Sequence, residues 1–341
     1  MKVSAGDYYG WSEIPASRNT PNLNPITWVN YVKQFKGLTI ESAQKLLISQ
    51  QISESDTSLK EMEFMDVALL DIIGKIQKKP AIELLNLPHR AEVPGLFCIL
   101  YKDVEEVRKE AEKSIEQNLA HHLKFKMYGD KKLDLNLLKT IRTVLGDEAQ
   151  VISDVNGGYN NWNTIEELAV TLKIFKSNGL NAIEDPAELT SKQWTELQNL
   201  VGNLSLIPDK PLRPSWKGIK TISPGMGRIY NLHPSTMGSF KQTAFLAKKI
   251  KDFGGKIMIG DDSLVGPACS AWQQIAIGAG AEWVEAIEKK EDSKEYLECV
   301  LQSPTKKQSN GYYSLDPAPG FGLILDEKRL RNICSLYIDV I

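Results

Sequence analysis

Cysteine is sparse. Cys98, Cys269, Cys299 and Cys334 are scattered through 341 residues with no Cys-x-x-Cys pair, which argues against a disulfide framework and a structural zinc site and leaves ordinary buried thiols. No run of eighteen apolar residues occurs, so no segment reads as a membrane-spanning helix. The opening Met1-Lys2-Val3-Ser4-Ala5-Gly6-Asp7 lacks the apolar core of a signal peptide, which predicts a cytoplasmic protein. An excess of one charge is missing too: 41 basic and 43 acidic residues give a net charge of -2. That balance removes the electrostatic case for nucleic acid or an anionic membrane as partner, and a small molecule becomes the expected one. Low-complexity tracts are absent.

The length allows one large barrel with an appendage as readily as two domains. From about residue 93, short apolar runs alternate with amphipathic stretches every 24 to 30 residues, the rhythm of a βα unit. Strands are predicted over 93–100, 123–127, 150–155, 182–184, 204–207, 228–232, 256–259 and 283–286. Helices are predicted over 103–119, 164–177, 239–252 and 263–277, the last two opening on serine caps. Eight parallel strands with crossover helices predict an α/β fold, a (β/α)8 TIM-like barrel over residues 93–304. Residues 1–92 and 305–341 then form a capping α+β domain from both chain ends. Within it, Ser58-Leu59-Lys60-Glu61 has a capping-box pattern ahead of a helix with Met62, Met65, Leu69 and Ile73 on one face, and Pro80 lies beyond its end. Asp316 to Gly322 reads as a turn-rich connector.

Chemistry concentrates in Lys124-Phe125-Lys126. Residues i and i+2 of a strand share a face, so both lysines project together while Phe125 meets the helices. Neighbouring ammonium groups depress each other's pKa, and that predicts a usable base near neutral pH; by itself the pair also fits two solvated lysines on an edge strand. The acids downstream change the weighting. Asp154, Glu184 and Asp209 each end a predicted strand, on three consecutive strands, at the rim where barrel active sites gather. Three convergent carboxylates repel unless a cation sits among them, and hard oxygen donors suit Mg²⁺.

Lys124-Phe125-Lys126, Asp154-Val155-Asn156-Gly157-Gly158-Tyr159, Ile183-Glu184-Asp185-Pro186 and Ile207-Pro208-Asp209 together resemble the enolase superfamily, in its mandelate racemase and muconate lactonizing enzyme branch. Gly10-Trp11-Ser12-Glu13 resembles that family's third cap strand, Asp66 to Leu85 its main cap helix, and Pro319-Gly320-Phe321-Gly322 its C-terminal return. The resemblance implies a shared half-reaction: a base removes the proton beside a substrate carboxylate, and Mg²⁺ stabilises the enediolate. By position, Lys126 is the implied base and Lys124 its electrostatic neighbour. An epimerase, racemase or dehydratase would follow. The alternative is a degenerate, non-catalytic member that binds a carboxylate ligand. Relatives often form dimers or octamers, so a homo-oligomer is compatible with the resemblance.

The chain departs from its relatives in several places. Where epimerases carry a second lysine on the sixth strand, Tyr230-Asn231-Leu232-His233 stands instead. His233 is then either a second acid/base, with Asp261 or Asp262 orienting its ring, or a group that hydrogen-bonds substrate or packs beside Pro234. Lys210 replaces the glutamate that commonly follows the third acid, an extra cation that weakens metal binding unless it points away or meets an anionic substrate. Asn156 is a further candidate beside substrate or metal ligands. Glu285 and Glu288 stand where dipeptide epimerases have Asp-x-Asp, and they fit ordinary polar residues equally well. Finally, Trp11 falling in the third cap strand predicts that two family strands are missing, leaving Asp7-Tyr8-Tyr9 and the loop near Arg18-Asn19-Thr20 to cover the mouth.

Overall fold

The structure is a computed structural model that describes residues 1–13, 25–52, 59–88, 91–288 and 290–340. Ser58 and Arg18-Asn19-Thr20 lie outside them. Barrel strands follow in chain order: Phe97–Ile99, His122–Lys126, Gln150–Asp154, Ala182–Glu184, Ser205–Ile207, Ile229–Leu232 and Lys256–Ile259. The first five form one parallel sheet and the last two a parallel pair. Two backbone bonds cross the gap between them, Arg228 N–H to Leu206 O at 3.3 Å and Asn231 N–H to Pro208 O at 3.1 Å. At the eighth position Val284 bridges both Ile259 and Gly95, which returns the ring to its first strand. The predicted strand over 283–286 is therefore a single bridge residue. Its backbone still bonds both neighbours, so the position is held without a full ladder.

Alternation decides which side chains fill the ring. Phe125 is buried in the layer shared with the outer helices, while Leu96, Ile152, Ala182, Ile207, Ile229, Met258 and Trp283, one from each remaining position, pack together inside. That plug closes the lower interior and leaves the carboxyl ends of the strands free for polar groups. The helices begin where a side chain can take the orphan backbone donors: Asp103, Asp130, Thr164, Thr190 and Ser239 all accept such bonds. The predicted serine cap at Ser263 is corrected. That helix runs Pro267–Ala279, and Glu13 from the cap accepts from Val265 N–H and Ala268 N–H, so a distant carboxylate does the work of a local cap.

The predicted strand over 93–100 is two strands. Glu92–Pro94 pairs antiparallel with Tyr312–Leu315 in the cap-side sheet, and Phe97–Ile99 enters the barrel. Gly95 is the joint; a Cβ there would lie 2.9 Å from Leu119 and 3.0 Å from the Tyr313 ring. In the cap, Lys2–Ala5 pairs with Tyr8–Trp11, so one strand does precede the Gly10-Trp11 segment. Tyr9 packs edge-on against Trp11 with Lys75 over its ring, as part of the cap. The main cap helix is Leu59–Gln77 rather than 66–85, since Pro80 starts a separate short turn, Ala81–Leu84. Met62, Met65 and Leu69 pack on Tyr31, Ala43 and Leu47. Its opposite side is buried as well, and there the carboxylates bind backbone. Asp71 accepts from Trp11 N–H and Phe321 N–H, which docks both chain ends, and Asp66 accepts from Phe240 N–H.

Glu63 ties the cap to the loop that carries His233. Its oxygens accept from Ser235, Met237 and Gly238 backbone N–H and from Trp272 Nε1. Burial pushes its carboxyl up to about 7 against those four donors, which favour the charged form. In Glu63→Gln an NH₂ group must face backbone donors, so the variant is expected to lose about 3 kcal/mol of unfolding free energy in urea titrations. A loss within error of zero would show that the clamp contributes nothing.

Candidate active site

The strand register builds the site. Lys126 lies opposite Asp154, and Asp154 opposite Glu184, so three charged side chains stand in one row at the carboxyl ends of consecutive strands. One step lower on the same face, Lys124 is 6% exposed. Its Nζ lies 3.2 Å from Glu184 Oε2 and 2.5 Å from Glu285 Oε2, while Lys126 Nζ is 3.2 Å from Asp154 Oδ2. Asn231 Nδ2 donates to the other oxygen of Glu184 at 2.6 Å. Asp209 is 1% exposed and is gripped by Arg213, whose Nε donates to Oδ1 at 2.7 Å and whose second nitrogen meets Oδ2. Asp185 turns the other way and accepts from the backbone N–H groups of Asp209 (3.0 Å) and Lys210 (3.1 Å), which fixes the loop carrying the third acid.

The electrostatics reverse one expectation. Burial alone would lower Lys124, but Glu184, Glu285 and Asp154 outweigh it and hold the ammonium well above its ordinary value. Lys124 is thus a fixed positive charge and not the depressed amine predicted from a like-charged neighbour. Glu184 is pushed far up by burial, with Asp154, Asp209 and Glu285 adding repulsion that Lys124 only partly offsets. Burial also lifts Asp209 to about 7, against the pull of Arg213, and Asp185 to about 7, with Glu184 reinforcing it. Burial first, and crowding with neighbouring carboxylates second, hold Glu184 and Asp209 toward neutrality, so further positive charge would be favourable there. The oxygen donors and that preference fit a hard divalent cation, with Asp154, Glu184 and Asp209 as the residues that would hold it. Among the described residues no three such side chains stand arranged to hold a metal ion, because each of these acids is turned onto a cation of the chain itself.

The family model described as enolase C-terminal domain-like matches residues 106–329. The chain belongs to this family. It is similar to the N-succinyl-L-Arg/Lys racemase of Bacillus cereus, 23% identical over 285 residues, which are 81% of this chain and 72% of the relative. It is also similar to the arabinonate dehydratase of Saccharolobus solfataricus, 31% identical over 129 residues, which are 36% of this chain and a third (33%) of that enzyme. Among solved structures, an enolase from Sargasso Sea environmental sequencing superposes with a TM-score of 0.80 at 19% identity, covering 98% of this chain and 90% of that one. Muconate lactonizing enzyme from Pseudomonas fluorescens gives 0.76 at 20%, covering 97% and 90%. At these identities the structures establish the fold, the enolase-superfamily barrel with its cap.

Within this enolase-superfamily site the predicted residues divide. Lys124, Lys126, Asp154, Glu184 and Asp209 share the ion-paired row. His233 directly follows the sixth strand, with Nδ1 2.9 Å from the Pro234 carbonyl; burial pushes its ring down to about 4, helped by the nearby Arg213 charge. Asp261 accepts from Ser263 and Leu264 N–H, and Asp262 pairs with Lys60 of the cap helix at 2.6 Å. Asn156 is exposed at the strand end, where its N–H donates to Asp154 Oδ1. Lys210 points away from the acids toward Glu188, 4.0 Å off, so it is not the intruding cation. Sequence reasoning gave no role to Arg213, Asn231 or Asp185, and left Glu285 open between a substrate contact and an ordinary polar residue. Only the four-residue spacing of Asp209 and Arg213 offered a signal, since Glu285 reaches Lys124 across the closure of the ring. No disulfide joins the four cysteines; Cys269 and Cys299 are buried as expected, whereas Cys334 is exposed on the C-terminal segment.

Carboxyls raised in the folded state contribute stability that is complete below their unfolded values and lost as pH climbs through the folded ones. With Asp185 and Asp209 raised from 3.8 to about 7, metal-free protein is expected to lose thermal stability between about pH 4 and pH 7. Millimolar Mg²⁺ should flatten that slope in unfolding scans across the same range. An identical slope with and without Mg²⁺ would count against a cation among these acids.

Proposed function

We propose that this chain is a Mg²⁺-dependent enzyme that removes the α-proton of a small carboxylic acid and returns a proton to the opposite face, as an epimerase or racemase does. One observation carries the reading: Lys126 ends the second strand and His233 directly follows the sixth, positions on opposite sides of an eight-position ring, with the acidic row alongside. Asp154, Glu184 and Asp209 would hold Mg²⁺, which would supply positive charge where negative charge grows on the substrate carboxylate. The chain's own groups do the rest. Lys126, as neutral amine, takes the α-proton from one face. Lys124 keeps its charge and stays beside Glu184 and Glu285, lending positive potential to the same carboxylate. His233 serves the other face. Burial and the Arg213 charge push its ring down to about 4, which favours the neutral imidazole that accepts the α-proton of the opposite enantiomer.

Similarity to a racemase over 81% of this chain puts inversion first. Similarity to a dehydratase over 129 residues keeps dehydration as the second reading, and a 2-keto acid product rather than an inverted one would identify it.

The test is uptake of solvent deuterium at the α-carbon, followed by NMR over a panel of N-acyl amino acids, dipeptides, acid sugars and hydroxy acids. Lys126→Ala should slow exchange by at least about a hundredfold; exchange that persists removes Lys126 as the base. His233→Gln should retain exchange from one enantiomer and lose inversion, whereas equal loss for both enantiomers would make His233 a binding or packing residue. Calorimetry that finds no Mg²⁺ binding at millimolar concentration would point to a non-catalytic carboxylate-binding protein.

A further inference from the structure

We infer that Arg213 is an internal counter-cation which a divalent metal must displace to reach Asp209. This rests on the metal-dependent reading above and concerns how the site is loaded. Three cations of the chain neutralise the acidic row, but in different ways. Lys124 and Lys126 are single ammonium charges 3.2 Å from Glu184 and Asp154. Arg213 is a planar fork that engages both oxygens of Asp209, the grip that competes best with a metal for a carboxylate. The pair is local. Arg213 follows Asp209 by four residues across the short turn Lys210–Leu212, and its backbone N–H closes that turn on the Lys210 carbonyl. Asp209 is buried, whereas a quarter (25%) of the Arg213 side chain is exposed, so the guanidinium can leave without unfolding the loop while Asp209 stays in place. Asp185 holds that loop through the Asp209 and Lys210 N–H groups, independently of Arg213. Lys210 lies 4.0 Å from Glu188 and is engaged there rather than on Asp209.

The consequence is a metal affinity set by the chain's own arginine. Mn²⁺ and Mg²⁺ titrations by calorimetry, without substrate, compare wild type with Arg213→Gln and Arg213→Lys. The glutamine variant should bind about tenfold more tightly, and the lysine variant, keeping the charge but not the fork, should fall between. In wild type with ¹⁵N-labelled arginine, one Nε–H signal that is absent from spectra of the variants should shift as Mg²⁺ is added. If glutamine does not fold, lysine carries the test: tighter binding than wild type supports displacement. Equal binding by all folded forms overturns it and leaves the metal reading standing. Binding by none overturns both.

Discussion

The balance of buried charge at the carboxyl ends of the barrel strands is what the rest of this structure depends on. Asp154, Glu184, Asp209 and Glu285 face one interior against Lys124, Lys126 and Arg213, and an unpaired charge there would cost several kcal/mol. Every local feature of the rim serves that balance. Register places Lys126 beside Asp154 and Asp154 beside Glu184, Asn231 takes the spare Glu184 oxygen, and Asp185 holds the Asp209 backbone. The apolar plug of Leu96, Ile152 and Trp283 below keeps this cluster at the open end of the ring.

The cap extends the same principle. Its main helix carries Glu63, Asp66 and Asp71 inward, and each finds backbone N–H groups of the barrel or of the C-terminal return. Glu63 is the link between architecture and chemistry, because it fixes the loop that follows His233. Lys60 on the same helix reaches Asp262 at the end of the seventh strand, so one cap element is tied to two neighbouring barrel loops. Among the described residues no helix is long and apolar enough to cross a membrane, in keeping with the sequence.

Much of the fold was legible because barrel strands and helices announce themselves through local pattern. Alternation put Lys124 and Lys126 on one face, and Ser239 caps its helix as its position predicts. What failed was whatever depended on a distant partner. Ser263 lost its capping role to Glu13, and the run from 93 to 100 broke because Glu92–Pro94 found Tyr312–Leu315. In the site, the residue types were readable but their pairing was not. Mutual depression of the two lysines was expected, with Lys126 as base and Lys124 its electrostatic neighbour; two buried glutamates instead hold Lys124 as a fixed charge, one of them brought in by the closure of the ring.

The sequence by itself determined the order of strands, the row of lysine and acids, and the family they belong to, because these follow from side-chain period and from spacing along one chain. Only the tertiary structure decided which cation meets which acid. Closing the ring brings Glu285 to Lys124, and the turn after Asp209 swings Arg213 onto that acid. Coulomb energy depends on distance through space, and distances between residues well over a hundred positions apart exist only once the chain has folded.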